Sequence, residues 1–96
     1  MELTRLSDDE VSARLEALGE WSQPGEEIQR TFGFADFAAA MTFVEKVAAH
    51  AERVQHHPDI LIRYNRVTLS LSTHDAGGIT EKDFDFAREA DRLAGC

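Results

Sequence analysis

Residues 36–72 read DFAAAMTFVEKVAAHAERVQHHPDILIRYNRVTLSLS, and this stretch decides the fold. Its first half has helical period. Phe37, Ala40, Val44, Val47, Ala51 and Val54 recur at three- and four-residue intervals, so one face is apolar and built of small side chains. Asp36 is placed to cap the first free amides. Pro58 has no amide and biases His57 away from helical geometry, so the helix is expected from Phe37 to about Gln55, with Pro58 ending it. The second half has period two. Ile60-Leu61-Ile62 is a short apolar run, and Val67, Leu69 and Leu71 alternate with Thr68, Ser70 and Ser72. Tyr64-Asn65-Arg66 between them suits a tight turn, with the asparagine tolerating a left-handed backbone. A long helix feeding a strand pair is therefore the centre of the molecule.

The flanks complete the pattern. Ser7-Asp8-Asp9-Glu10 reads as a capping box, followed by Val11, Leu15 and Leu18 at helical spacing and by Gly19 as a stop. Trp21 opens an irregular stretch broken by Pro24-Gly25. Ile28 to Phe34 then alternates, with Arg30 the exception on the apolar parity. A partner strand is expected before the turn, around Trp21. After the Gly77-Gly78 loop, Thr80-Glu81-Lys82-Asp83 is a second capping box, with Phe84, Ala87, Ala90 and Leu93 or Ala94 on one helical face and Gly95 as a stop. The order α-β-β-α-β-β-α predicts an α+β fold: a four-stranded antiparallel sheet with three helices packed on one face.

The chain of 96 residues is short enough for one domain spanning 1–96. Ten Lys and Arg against 18 Asp and Glu give a net charge of −8. That balance argues against nucleic acid or an anionic membrane as partner, since both need cationic surface. A weakly polar small molecule meets no such objection. Cys96 is alone, so no intrachain disulfide forms, and a thiol on the last residue is a poor candidate nucleophile. No apolar run has signal-peptide or membrane-spanning length, and the expected location is the cytoplasm.

Three histidines sit where elements meet. His56 and His57 lie between the long helix and Pro58, and His74 follows the last strand. Imidazole serves as acid and as base near neutrality, and two adjacent imidazoles tend to split the roles, because charging one opposes charging the other. Glu52 lies four residues before His56 and is expected to orient it. A structural reading stands beside this one: histidines are favoured at helix C-termini, Asp83 is a capping acid, and Glu52 is a solvated helix charge. His50 has no partner at a useful spacing and reads as a surface residue. A three-histidine metal site from His56, His57 and His74 is disfavoured, because adjacent side chains rarely converge on one ion and there is no His-Glu-x-x-His or paired cysteine. Ser70, Ser72 and Thr73 lack a nucleophile-elbow pattern, and Gly77-Gly78 lacks the rest of a phosphate loop.

The run Glu52-x-x-x-His56-His57-Pro58, then Tyr64, His74 and Asp83, resembles the signature of the pterin-4a-carbinolamine dehydratases. Leu18-Gly19-Glu20-Trp21, Phe32-Gly33-Phe34-Ala35-Asp36-Phe37 and Thr73-His74-Asp75-Ala76-Gly77-Gly78-Ile79-Thr80 are similar to family segments, and the likeness covers about Leu6 to Asp91. The resemblance implies a hydro-lyase. It removes water from the 4a-hydroxytetrahydropterin left by aromatic amino acid hydroxylases, giving quinonoid dihydropterin for recycling. It further implies His56, His57 and His74 as catalytic residues, with Glu52, Asp83, Pro58, Thr73 and Asp75 binding substrate or supporting the pocket. No metal or organic cofactor is implied, and the assembly is a homodimer or homotetramer. Ile60 and Gln55 depart from the family's commoner aromatic and acid or asparagine. Animal members also stabilise a transcription-factor dimer, so a binding module is the competing reading, and another pterin reaction in the same pocket is a third.

Overall fold

The computed structural model describes residues 4–95; Cys96, and with it the reading of the lone thiol, lies outside them. Helix α1 spans Asp8–Leu18, strand β1 Ile28–Gly33, helix α2 Phe37–Val54, strands β2 and β3 Asp59–Arg63 and Arg66–Leu71, and helix α3 Glu81–Leu93. A 3₁₀ turn, His74–Ala76, links β3 to α3.

Both capping boxes form. The Ser7 hydroxyl accepts from the Glu10 amide at 3.2 Å, and the Glu10 carboxylate accepts from the Ser7 amide at 2.9 Å. Thr80 and Asp83 repeat the arrangement at α3. Asp36 accepts from the Ala39 amide at 2.8 Å. Each device satisfies amides that a helix start leaves without partners.

The sheet is antiparallel with order β1-β3-β2, so β3 is central. Ile28 faces Leu71, Phe32 faces Val67, and Ile60 and Ile62 face Leu69 and Val67. Paired residues share a face. The face bearing Ile28, Phe32, Val67, Leu69 and Leu71 is buried, and it joins Ala40, Phe43, Val47 and Ala51 of α2 and Phe84, Phe86, Ala87 and Ala90 of α3 in one core. The other face carries Gln29, Thr31, Thr68 and Ser70, tied across strands by Gln29 to Ser70 at 3.0 Å and Thr31 to Thr68 at 2.7 Å. Trp21, Phe32, Phe43 and Phe34 pack in a chain of rings with centroids 4.8–6.0 Å apart.

The α+β class holds, but the sheet has three strands rather than the expected four. The segment around Trp21 makes a single bridge, Ser22 to Gln29, and no ladder. The physical reason is local. Gly19 ends α1, Pro24 lacks an amide, and Gly25 takes φ 78°, so few extended residues remain between helix and turn. Trp21 turns inward instead, and its indole N–H donates to Asp91 at 3.0 Å. Arg30, the misfit in the alternation, also reaches Asp91, at 2.8 Å, with its guanidinium 4.3 Å from the Phe32 ring centroid.

Three smaller expectations are corrected. Helix α2 has the expected span, but its stop is the left-handed cap at Gln55, φ 54°, rather than Pro58. Tyr64, at φ 52°, takes the positive-φ position of the β2–β3 turn, while Asn65 donates from its side chain to the Phe34 carbonyl at 2.9 Å. Phe37 and Val54, at the ends of the apolar face of α2, are exposed, and Phe43 is buried instead.

Candidate active site

His56 follows the left-handed turn at Gln55, which swings it off the α2 axis toward the start of α3. Its Nε2 lies 2.6 Å from Asp83 Oδ1. Asp83 is fully buried and His56 nearly so. A buried carboxylate needs several donors. The other oxygen, Oδ2, accepts from the Thr73 hydroxyl and the Thr80 amide, both at 2.9 Å. The Thr73 hydroxyl has one proton and gives it to Asp83. The 2.7 Å contact between Thr73 and Thr80 therefore has Thr80 as donor, and Thr80 in turn accepts from the Lys82 amide at 3.2 Å. The acid that caps α3 thus also fixes the plane of the His56 ring.

His57 is held differently. Its Nε2 lies 2.6 Å from Glu52 Oε2, with both side chains more than half exposed. This corrects the expected Glu52–His56 pairing. The i,i+4 relation requires a continuous helix, and the turn at Gln55 breaks it, so Glu52 meets the next histidine while His56 meets Asp83. In both pairs Nε2 is engaged and Nδ1 is left to exchange a proton or bind a ligand.

His74 opens the 3₁₀ turn, which Gly77 closes at φ 76°, and a Thr73–Gly78 bridge clamps its two ends. His56, His57 and His74 together line one polar cleft of about 230 Å³, with Gln55, Ser72, Thr73, Asp75 and Lys82. An adjoining cleft of about 240 Å³ shares His57, Ser72 and His74 and adds Glu27, Asp59 and Ser70. A third cavity, about 320 Å³, also touches His56 and Lys82 and is walled by His50, Val54 and Phe86. We place the site in the polar clefts because the three imidazoles meet there. A mostly apolar cavity touching only one of them offers less acid–base chemistry.

The structure therefore brings Thr73 and Asp75 together with the three histidines. Glu52 and Asp83 stand behind the rings and line neither cleft, and Pro58, half-buried, lines neither. Lys82, which the sequence reading places only in a capping box, also lines the cleft, as do Gln55, noted only as a departure from the family pattern, and Ser72, set aside as a nucleophile. The outward parity of Ser70 on β3, continued by Ser72 just after the strand, and the place of Lys82 beside Asp83 are the available signals. His50, read as a surface residue, is half-buried with its ring 4.8 Å from Phe86 and its Nδ1 shielded and unpartnered. Beside it, the hydrogen bond from Arg92 holds the Glu89 carboxyl below its usual range. Among the described residues no group of three or more His, Cys, Asp or Glu side chains is arranged to hold a metal ion, and no helix is long and apolar enough to cross a membrane.

Fold and cleft define a small α+β protein that gathers histidines, two of them carboxylate-bound, around a polar groove. The family model described as pterin 4 alpha carbinolamine dehydratase matches residues 4–93. A provisionally named pterin-4-alpha-carbinolamine dehydratase of Chloroflexus aurantiacus is 53% identical over 93 residues, covering 97% of this chain and all of that one. Another so named, from a Picosynechococcus strain, is 52% identical over 90 residues, 94% of this chain and 98% of its own. The crystal structure of a transcriptional coactivator/pterin dehydratase from Brucella melitensis superposes with a TM-score of 0.92 at 39% identity, covering 96% of this chain and all of that one. A pterin dehydratase-like protein described as a RuBisCO assembly factor in the alpha-carboxysome is more distant, with a TM-score of 0.69 and 28% identity over 79% of this chain and 90% of its own. The chain belongs to the pterin-4a-carbinolamine dehydratase family.

Proposed function

We propose that the chain dehydrates 4a-hydroxytetrahydropterin to quinonoid dihydropterin and water by histidine acid–base catalysis. The observation that carries this reading is the gathering of His56, His57 and His74 on one cleft, with Nε2 of the first two each 2.6 Å from a carboxylate oxygen. Hydroxide leaves carbon poorly and water leaves well. One imidazolium protonates the departing hydroxyl as the C–O bond breaks, the ring nitrogens supply the electron pair, and a second imidazole takes the proton then released from the pterin. The third, with Thr73 and Asp75, holds the ring. Help of about 10²–10⁴-fold is the usual yield of such proton transfers.

In this reading the protein is a cytoplasmic homodimer or homotetramer that serves tetrahydropterin recycling for aromatic amino acid hydroxylation, without metal or organic cofactor. The buried His56–Asp83 pair favours catalysis over a pure binding module, since a docking surface has no use for an oriented, enclosed imidazole. His57→Ala tests it. Dehydration of fresh 4a-hydroxytetrahydropterin should slow by roughly tenfold or more with the circular dichroism spectrum unchanged. A full rate in this variant removes His57 from the catalytic set.

A further inference from the structure

The cavity of about 320 Å³ walled by α2 and α3 has no part in the proposed reaction. Its volume falls at the lower end of ordinary small-molecule sites. Its apolar surface is Val54, 40% exposed, and the His50 ring, which meets the buried Phe86 ring edge-on. Its charges are unevenly answered. Asp85 and Glu89, the two acids that line it, each pair with an arginine on the same helix, Arg88 and Arg92. His56 pairs with Asp83. Lys82 has no ion-pair partner among the described residues. It also stands in the first turn of α3, the end of a helix that disfavours cations. His50 is short of partners too. Its Nδ1 is shielded and makes no hydrogen bond, while Nε2 makes none among the described residues and stays accessible. The single proton of the neutral ring belongs on Nε2, where an acceptor can reach it, since an enclosed N–H without a partner is costly.

We infer that this cavity binds a single-ring aromatic carboxylate that carries a hydroxyl at the far end of its ring. The carboxylate meets Lys82, the lining charge that nothing in the chain answers. The ring lies against Val54 and His50. The hydroxyl accepts from His50 Nε2–H and donates to the Glu89 carboxylate. Lys82 and Glu89 are seven residues apart on α3, about 10 Å along its axis, a span that such a molecule covers. Other ligand classes fit less well. A cation would face Lys82 and acids already paired with arginine. A wholly apolar ligand would strip water from Lys82 and Nε2 and return no hydrogen bond. An inorganic anion would leave the apolar wall unused. Lys82 and His56 line the polar cleft as well, so an occupant sits against a wall of the candidate active site. Binding itself does not depend on the proposed reaction.

Titration of the full chain with para-hydroxyphenylpropanoate tests it, followed by NMR of isotope-labelled histidine rings. The His50 and His56 signals should move together and saturate with a Kd on the order of 1 mM or tighter. The amide of the same acid should bind roughly tenfold or more weakly, and Lys82→Met should weaken the acid to the same degree. Phenylpropanoate, which lacks the hydroxyl, should bind roughly threefold or more weakly, as should the hydroxylated acid to His50→Leu, read there at His56. If Lys82→Met perturbs the circular dichroism spectrum, the comparison of acid with amide on the wild-type chain carries the same test. The inference is overturned by no saturation up to about 20 mM, by equal affinity for acid and amide, by indifference to His50→Leu, or by shifts at His57 and His74 with His50 silent, which would put the ligand in the polar clefts.

Discussion

Two histidine–carboxylate pairs flank the same turn, have the same 2.6 Å separation, and differ in nearly everything else. Asp83 is buried and His56 nearly so, and the carboxylate is embedded among two threonines and the start of α3. His57 and Glu52 stand in solvent. Distance alone would rank them equal. Burial separates them: a solvated pair is worth about 0–1 kcal/mol, while removing one member of an enclosed pair costs about 3–5 kcal/mol. One pair is architecture that also fixes a ring, and the other steers an exposed ring at little energetic consequence.

Breaking the buried pair gives the largest effect. Asp83→Ala should lower the unfolding free energy by about 3–5 kcal/mol in urea titration, because His56, Thr73 and the Thr80 amide all lose their acceptor. Asp83→Asn should cost less stability yet still slow dehydration, since an amide cannot hold His56 as a carboxylate does. The turn between the pairs comes next. Gln55 pays for a left-handed backbone, so Gln55→Gly should raise stability by about 0.5–1 kcal/mol in the same titration. A loss of stability there would mean that the Gln55 side chain, which donates to the Glu52 carbonyl at 2.6 Å, matters more than the backbone.

Removing the exposed pair sharpens the contrast. Glu52→Gln should change stability by no more than about 0.5 kcal/mol, and a Glu52–His57 double-mutant cycle should fade with added salt while the Asp83 effect does not. The smallest effect concerns Glu10, whose carboxyl is held below its usual range chiefly by the Ser7 backbone N–H. A depressed carboxyl stabilises the fold above its unfolded pKa, and that contribution is lost as pH falls through the folded value. The Tm gap between the wild type and Glu10→Gln should therefore shrink between about pH 7 and about pH 3.

The parts legible in the sequence were those decided within one or two turns of chain. Both capping boxes and the alternation of Val67, Leu69 and Leu71 are local, and they formed as expected. The three histidines that the resemblance singles out line one cleft. Other features needed tertiary information. The exchange of partners at Glu52 turns on one positive φ at Gln55, which glutamine does not advertise. Arg30 is tolerated inside because Asp91 meets it from across the chain, and the missing fourth strand reflects Trp21 choosing Asp91 and the core over a ladder. His50 looked solitary because its neighbour Phe86 lies on another helix.

The central claim is that these imidazoles pass protons while a C–O bond breaks. Stopped-flow absorbance on freshly generated 4a-hydroxytetrahydropterin, with and without the wild-type chain, tests it most directly. Water loss should accelerate by roughly 10²-fold or more at micromolar protein. A rate identical to that of the substrate alone would contradict it.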